Sequence, residues 1–175
     1  HFLGQVKEMG FSGVNNFPTH SIVDGKFRQI LEETGMSVQK EVDMVGLARR
    51  MDLFSIVYVG SPEEARDMAE VGADVIIAHV GTTIGGSIGV VEAAMTLEEA
   101  AARTQKIIEA GKTVRDDVIY LSHGGPISKP EDAAYINEHT DTVGFVGASS
   151  LERMAIEGSL TNLTREFKSI PVKRK

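Results

Sequence analysis

The chain has 175 residues, of which 42% are hydrophobic and 25% are charged, and its 18 basic and 25 acidic residues give a formal net charge of −7. This negative balance argues against a nucleic-acid partner, because general nucleic-acid binding needs a positive surface. The absence of cysteine excludes disulfides and thiolate nucleophiles and fits a cytoplasmic location, and since no run of 18 apolar residues occurs, no membrane partner is expected.

Five apolar segments along the chain are predicted to be β-strands. They cover residues 11–17, 53–59, 74–80, 118–123 and 142–147. The third is a nearly continuous run of Val, Ile and Ala, as expected of a parallel strand that is covered on both faces. Two of the connections, 18–25 and 81–95, are long, and long loops in compact domains usually carry function.

Helix-start signals separate these strands. Residues 61–64 read Ser-Pro-Glu-Glu and combine an N-cap serine, a proline at the first helical position and a capping-box glutamate. Residues 96–99 repeat the box as Thr-Leu-Glu-Glu, and a third start is predicted at Ser149, with Glu152 three residues further on. The helix after the second box carries a stripe spaced for burial against a sheet, formed by Leu97, Ala100, Ala101, Thr104 and Ile108.

The alternation of strands and helices predicts an α/β fold with a parallel sheet. An open doubly wound sheet that binds a dinucleotide would carry the fingerprint G-x-G-x-x-G after its first strand, and this chain lacks it there. A complete (β/α)₈ barrel typically needs about 250 residues, and the first residue is His1 instead of methionine. We therefore expect residues 1–175 to be a single partial domain, the C-terminal five βα units of a (β/α)₈ TIM barrel without its N-terminal units.

An open barrel piece has unpaired strand edges and an exposed half-core. The chain alone is therefore not expected to be a stable monomer. Its expected partner is the N-terminal half of the barrel or a second copy in a homo-oligomer.

Two of the predicted strands end in a histidine that is followed at once by a glycine loop. These are His79 and His123, and strand C-termini form the active face of a (β/α) barrel. Imidazole can donate a hydrogen bond to phosphate, relay protons near neutral pH or bind a metal. The alternative role for each is to satisfy a loop carbonyl at a strand end. Because two occur at matched positions, we predict that both are catalytic.

Two later loops are predicted to bind phosphate. Gly124 and Gly125 allow backbone N–H groups to approach an anion, and Ser149 and Ser150 lie at a predicted helix start, where the helix dipole is positive. Turn formation and N-capping are the alternatives for the same residues.

The segment 81–89 is rich in glycine but lacks the Lys-Ser/Thr of a P-loop, so no nucleotide cofactor is expected. Gly85, Gly86 and Gly89 permit hinge motion and predict a lid over the barrel mouth. Glu92, just beyond, could reach the site, although a solvated glutamate at a helix start is the commoner explanation.

Asn15 and Asn16 close the first predicted strand. Asparagines at a strand end can bind carboxylate oxygens, and turn formation is the alternative. No lysine ends a strand, so a Schiff-base aldolase is not expected. No acidic pair lies at the strand ends either, so these residues alone cannot assemble a Mg²⁺ site.

Several ordered motifs resemble the phosphoenolpyruvate-hydrolase-like TIM-barrel family, which is also labelled TIM-barrel signal-transduction protein. That family occurs alone in bacteria and as the C-terminal domain of plant tobamovirus-resistance proteins. The motifs are GVNNFP at 13–18, LEETGM at 31–36, AHVG at 78–81, GSIG at 86–89, SHGGPI at 122–127, PEDAAY at 130–135 and GASSLER at 147–153.

The resemblance implies a barrel of the phosphoenolpyruvate/pyruvate superfamily that hydrolyses phosphonopyruvate or phosphoenolpyruvate. It also implies Mg²⁺, with acidic ligands that we expect mostly outside this chain. The leading hypothesis is a hydrolase or lyase acting on a small anionic phospho- or phosphono-2-oxo acid. The alternative is a ligand-sensing, signal-transduction module that binds such a metabolite without turning it over, and the fold alone cannot separate the two.

Overall fold

A computed structural model describes residues 1–90 and 95–171 of the chain. Glu92 and the basic residues 173–175 lie outside these ranges. The strands are β1 Gly13–Asn15, β2 Phe54–Val59, β3 Val75–His79 and β4 Ile119–His123. The helices are α1 Phe2–Glu8, α2 Gly25–Glu33, α3 Val38–Arg50, α4 Pro62–Glu70, α5 Leu97–Lys112, α6 Pro130–His139, α7 Ser149–Glu152 and α8 Met154–Lys168, with a short 3₁₀ helix at His20–Ile22.

The strands form one parallel sheet in the order β1-β2-β3-β4. Helices α3, α4 and α5 all pack on the sheet face that carries Val57 and Ile76, while Tyr58 and Ile77 belong to a separate cluster on the opposite face. A doubly wound sheet carries helices on both faces, whereas sequential strands with helices on one face form the arc of a (β/α) barrel. The predicted α/β class and partial-barrel architecture are thus confirmed.

The fifth predicted strand, 142–147, is shorter than expected. It runs parallel to β4 and pairs with it through one bridge, Ser122 to Phe145. The backbone N–H of Ser122 donates to the carbonyl of Gly144 at 3.0 Å, and the N–H of Val146 donates to the carbonyl of Ser122 at 2.9 Å. Gly144 and Gly147 weaken the strand because glycine adds no side-chain packing and loses more entropy on ordering.

The first predicted strand, 11–17, also contracts, to the three residues of β1. The physical reason is the side chain of Asn16, which replaces the backbone in pairing with β2. Its Oδ1 accepts the N–H of Tyr58 at 2.7 Å, and its Nδ2 donates to the carbonyl of Tyr58 at 3.0 Å.

The predicted starts of α4 and α5 are confirmed, but the predicted capping box of α4 does not form, because the Glu64 carboxylate accepts the N–H of Gly60 at 2.7 Å and not that of Ser61. Ser61 caps α4 by accepting the N–H of Glu64 at 3.2 Å, and Thr96 and Glu99 form a reciprocal capping box on α5. The predicted apolar stripe of α5 is buried apart from Leu97, which is half-buried. At the third start, Ser149 begins α7 but Ala148 is the N-cap, and no side chain caps the helix. None of the described helices is long and apolar enough to cross a membrane.

Candidate functional site

The two predicted catalytic histidines lie side by side at the C-terminal ends of neighbouring strands. His79 and His123 are register partners in the β3–β4 ladder, and their ring centroids are 5.1 Å apart. Both are buried, with 7% and 6% of their surface exposed. The parallel pairing therefore places two imidazoles from strands 44 residues apart in one site.

His79 is neutral at pH 7. Its Nδ1 accepts the backbone N–H of Gly81 at 3.2 Å, so the neutral ring carries its proton on Nε2. Burial, the nearby His123 and the positive charge of Arg103 lower the pKa of His79 to about 4. The ring can thus donate a hydrogen bond from Nε2 to a ligand.

His123 holds the opposite tautomer. Its Nδ1 lies 2.7 Å from the carbonyl oxygen of Val146, which can only accept, so the proton resides on Nδ1 and the Nε2 lone pair is free to accept a proton. Burial lowers the pKa of His123, and the bond to Val146 opposes that effect. The alternative role, satisfying a loop carbonyl, is therefore real for Nδ1, but Nε2 keeps its basic lone pair.

Tyr58 completes an aromatic cluster with the two histidines that the sequence analysis did not predict. Its ring lies edge-on to His123, with centroids 5.2 Å apart, and 6.1 Å from the ring of His79. Burial, followed by the negative charge of Glu152, raises the pKa of Tyr58, so its hydroxyl stays protonated near neutral pH. Tyr58 lies inside an apolar strand, where nothing local in the sequence distinguishes it from a core residue.

Asn15 and Asn16 lie at the end of β1, but their polar atoms are occupied. The Oδ1 of Asn15 accepts the N–H of Phe17 at 2.5 Å, which is the predicted turn alternative. Asn16 bonds both ways to Tyr58 and also donates to Glu41 at 2.5 Å. In this structure Asn16 positions Tyr58, and the carboxylate-binding role of both asparagines stays a prediction.

The Gly124–Gly125 loop packs against the loop that follows β3. The N–H of Gly125 donates to the carbonyl of Gly81 at 2.7 Å, so this N–H is engaged within the protein. Gly124 has φ +84°, and a Cβ there would lie 2.2 Å from the Gly81 oxygen. Glycine is needed here for the close approach of two loops, and phosphate binding by these residues stays a prediction.

Ser149 and Ser150 lie in the first turn of α7 and are half-buried. Their hydroxyls do not cap the helix. The capping alternative is thus wrong, and the phosphate role stays a prediction.

The predicted lid is docked onto α8. The carbonyl of Gly85 accepts from Arg153 at 3.2 Å, and Ser87 donates through its N–H and its hydroxyl to Glu157, both at 2.9 Å. Gly85 and Gly86 have positive φ values of +84° and +71°, and a Cβ on Gly89 would lie 2.1 Å from the Gly85 oxygen. These three glycines form the tight turns of the segment, and its motion as a lid stays a prediction.

The sequence of residues 1–170 matches the family model described as phosphoenolpyruvate hydrolase-like. The chain belongs to the phosphoenolpyruvate hydrolase-like family. The family resemblance that the sequence motifs indicated, including those at the ends of β3 and β4, is therefore confirmed.

Relatives of this phosphoenolpyruvate hydrolase-like chain include two proteins from Solanum lycopersicum, "ToMV susceptible protein tm-1(GCR26)" and "ToMV resistance protein Tm-1(GCR237)". Each is 49% identical over 171 residues, which is 97% of this chain and 22% of the relative. "Putative transcriptional regulatory protein y4pA" from Sinorhizobium fredii is 29% identical over 96% of this chain and 27% of its own length. The chain thus spans about a quarter of these curated relatives.

Two solved structures are also similar to this family member. Nitroalkane oxidase from Streptomyces ansochromogenes has a TM-score of 0.48 and 19% identity, covering 85% of this chain and 37% of the oxidase. N-acetylmannosamine-6-phosphate 2-epimerase from Clostridium perfringens has a TM-score of 0.43 and 15% identity, covering 74% and 48%. Neither likeness bears on what this chain binds.

The resemblance to the phosphoenolpyruvate hydrolase-like family implies a bound Mg²⁺ ion, and such an ion needs ligand side chains that lie close together. Within residues 1–90 and 95–171, no three His, Asp or Glu side chains come together as a group that could hold a metal ion. These residues by themselves therefore do not fit a Mg²⁺ site.

Proposed function

We propose that the chain forms the active face of a hydrolase for a small phospho- or phosphono-2-oxo acid, of which phosphonopyruvate and phosphoenolpyruvate are the representatives. One observation carries the proposal: two buried, neutral histidines of opposite tautomer lie side by side at strand C-terminal ends, with ring centroids 5.1 Å apart. One offers an N–H donor and the other a basic lone pair. General acid–base catalysis needs both groups near neutral pH.

The proposed reaction uses these two groups in sequence. The Nε2 of His123 takes a proton from a water molecule as the water oxygen attacks phosphorus. With phosphonopyruvate the P–C bond breaks, and its electron pair remains on pyruvate as the enolate, whose oxygen accepts a hydrogen bond from the Nε2–H of His79. His123 then returns the proton to the enolate carbon, so that the products are pyruvate and inorganic phosphate.

Other predicted residues supply positioning in this proposal. The proposal has the hydroxyls of Ser149 and Ser150 donate hydrogen bonds to the substrate, and Asn16 holds Tyr58 beside the histidines. Mg²⁺, with ligands from outside the described residues, and a cytoplasmic location remain predictions. None of the steps above depends on a metal.

The proposal is tested by phosphorus NMR of the protein incubated with phosphonopyruvate and with phosphoenolpyruvate, each with and without Mg²⁺. Release of inorganic phosphate is expected, and His123→Gln is expected to slow it by about 10²–10⁴-fold because a general base is lost. The matched control is His139→Gln, since His139 lies exposed on α6 and stacks on Tyr135. Equal rates for the two variants would contradict the assignment of His123 as the base.

A second candidate function is a sensing module that binds the same metabolite without turnover. The observation that favours it is the relative from Sinorhizobium fredii, which is called a putative transcriptional regulatory protein and matches 96% of this chain. Shifted or broadened phosphorus signals without inorganic phosphate would support the sensor and exclude the hydrolase.

The proposed partner is the remainder of the barrel. Large exposed apolar side chains concentrate at the two ends of the arc, near the free edge of β1 and on α8. Beside β1, the apolar residues of α1 line a groove of about 450 Å³. No residue of α8 is buried, and one face of it exposes Ile156, Leu160, Leu163 and Phe167. Further βα units would cover both ends by extending the sheet from β1 and closing it at 142–147.

The partner proposal predicts that the 175-residue chain expressed alone associates and unfolds without a sharp transition. The reason is that exposed apolar faces and unpaired strand edges associate with other protein surfaces. Sedimentation velocity and urea unfolding measure both properties. A monodisperse monomer with cooperative unfolding would refute the proposal, and a defined dimer would assign the faces to a second copy instead.

A further inference from the structure

A pocket of about 310 Å³ lies beside His79, outside every segment that the sequence analysis assigned to phosphate. It is lined by the loop 18–25, by the turn between β2 and α4, and by the end of β3 with the start of the loop after it, together with one arginine each from α2 and α5. Its polar lining includes Ser21, Arg28, Ser61, Thr82 and Arg103. A volume near 300 Å³ suits a small ligand.

Arg103 brings to this pocket a positive charge that has no carboxylate partner in the part of the chain that the structure describes. Its Nη2 donates to the carbonyl of Gly60 at 2.7 Å, which fixes the guanidinium at the pocket wall. Among the described residues, no carboxylate oxygen lies within 4.0 Å of its nitrogens. One carbonyl engages part of the guanidinium fork, so other N–H donors remain for a ligand.

The second arginine of the pocket is already neutralised. Arg28 bonds to Glu64 at 2.7 Å, and the same carboxylate accepts from the hydroxyl of Ser21 at 2.8 Å and the N–H of Gly60 at 2.7 Å. Burial would raise the pKa of Glu64, but the bonds from Gly60, Arg28 and Ser21 and the charge of Arg28 together lower it. The ionised Glu64 carboxylate thus links the loop 18–25 to the turn before α4, so the pocket wall is preorganised.

We infer that this pocket binds the phosphate or phosphonate group of a small anion, with the Arg103 guanidinium as its main cationic partner. The hydroxyls of Ser61 and Thr82 supply further donors. Because the pocket adjoins His79, it places the phosphorus group next to the histidine pair, and to that extent the inference rests on the proposed function. Asp24 also lines the pocket and opposes anion binding.

The test uses inorganic phosphate and methylphosphonate as probes, with binding measured by calorimetry at pH 7 and constant ionic strength. Arg103→Gln is expected to weaken binding of both probes about tenfold, because a charge-assisted bond is lost. Lys106→Gln removes the same charge from the next turn of α5, away from this pocket, and is expected to leave binding unchanged. Asp24→Asn is expected to tighten binding about two- to threefold, because a like charge is removed.

Two further variants separate the possible outcomes. Arg103→Lys keeps the charge without the fork, so it should recover part of the affinity; no recovery, or equal weakening by Lys106→Gln, would overturn the inference. The double variant Ser149→Ala with Ser150→Ala tests the other candidate anion site: loss of phosphate binding in that variant, together with unchanged binding in Arg103→Gln, would move the anion site to α7 and overturn the inference. Pyruvate, which has a carboxylate but no phosphorus, should bind more weakly than phosphate, and the reverse order would contradict the assigned chemistry.

The inference and the proposed function can fail separately. If phosphate binding requires Arg103 but no substrate is turned over, the phosphate-binding pocket is supported and the hydrolase function is contradicted. If Arg103→Gln changes neither turnover nor phosphate binding, the hydrolase function is supported and the assignment of phosphate to this pocket is contradicted.

Discussion

With the proposed barrel partner present, Gly124→Ala is expected to lower the free energy of unfolding by about 3–4 kcal/mol, measured by urea denaturation. Gly124 has φ +84°, a conformation that costs an alanine roughly 1–2 kcal/mol. The new Cβ would also lie 2.2 Å from the Gly81 carbonyl oxygen, which is backbone and cannot rotate away. Relief requires the two loops to separate, and that breaks the 2.7 Å hydrogen bond from Gly125 to Gly81.

The matched control is Gly158→Ala on α8. A Cβ at Gly158 meets nothing within 4 Å, and alanine is favoured over glycine in a helix, so stability should rise by up to about 1 kcal/mol. If both variants unfold within about 0.5 kcal/mol of the parent, the close packing of the two glycine loops does not exist in solution. Because Gly124 directly follows His123, the same packing fixes the spacing of the histidine pair.

The fold was largely predictable because its signals are local. The N-cap serine and N1 proline that begin α4 and the capping box that begins α5 each lie within four consecutive residues, and β3 is an apolar run ending in His79 that is buried throughout. The ends of the arc were predicted less well. The segment 142–147 has one free edge and two glycines, and β1 gives up part of its ladder to the Asn16 side chain, so their lengths depend on pairing that the sequence does not encode locally.

The histidine pair was predictable for a related reason. In parallel neighbouring strands the C-terminal residues align, so two strands that both end in histidine bring the imidazoles together. Arg103 gave no such signal. It is an exposed helix residue whose role depends on a contact with Gly60, 43 residues earlier in the chain. The bonds of the Asn16 amide likewise depend on Tyr58, 42 residues away, so no local pattern in the sequence indicates them.

Stability is expected to fall steeply between pH 7 and pH 5, with His79 contributing about 2 kcal/mol of the loss. The pKa of His79 is lowered to about 4 in the folded protein, whereas an unfolded histidine titrates near 6.5. Between pH 6.5 and pH 4, His79 binds a proton in the unfolded state but stays unprotonated in the native state. The stabilisation is therefore complete above pH 6.5 and is lost as the pH falls towards 4. The measurement is urea unfolding at several pH values with the proposed barrel partner present, comparing the parent with His79→Asn.

The Oδ1 of Asn is as far along the side chain as the Nδ1 of His79, so it keeps an acceptor for the N–H of Gly81 but cannot titrate. The difference between the two pH profiles therefore isolates the histidine. Direct NMR titration of the His79 ring gives the same quantity independently, and a midpoint near 6.5 in the parent would contradict the account. Burial is the largest cause of the low pKa, with the charges of His123 and Arg103 adding to it. Arg103→Gln should therefore move the midpoint upward. A phosphate dianion bound beside Arg103 should move it in the same direction, because a negative charge stabilises the imidazolium. Occupation of the pocket would thereby raise the pKa of the buried His79 towards its ordinary value.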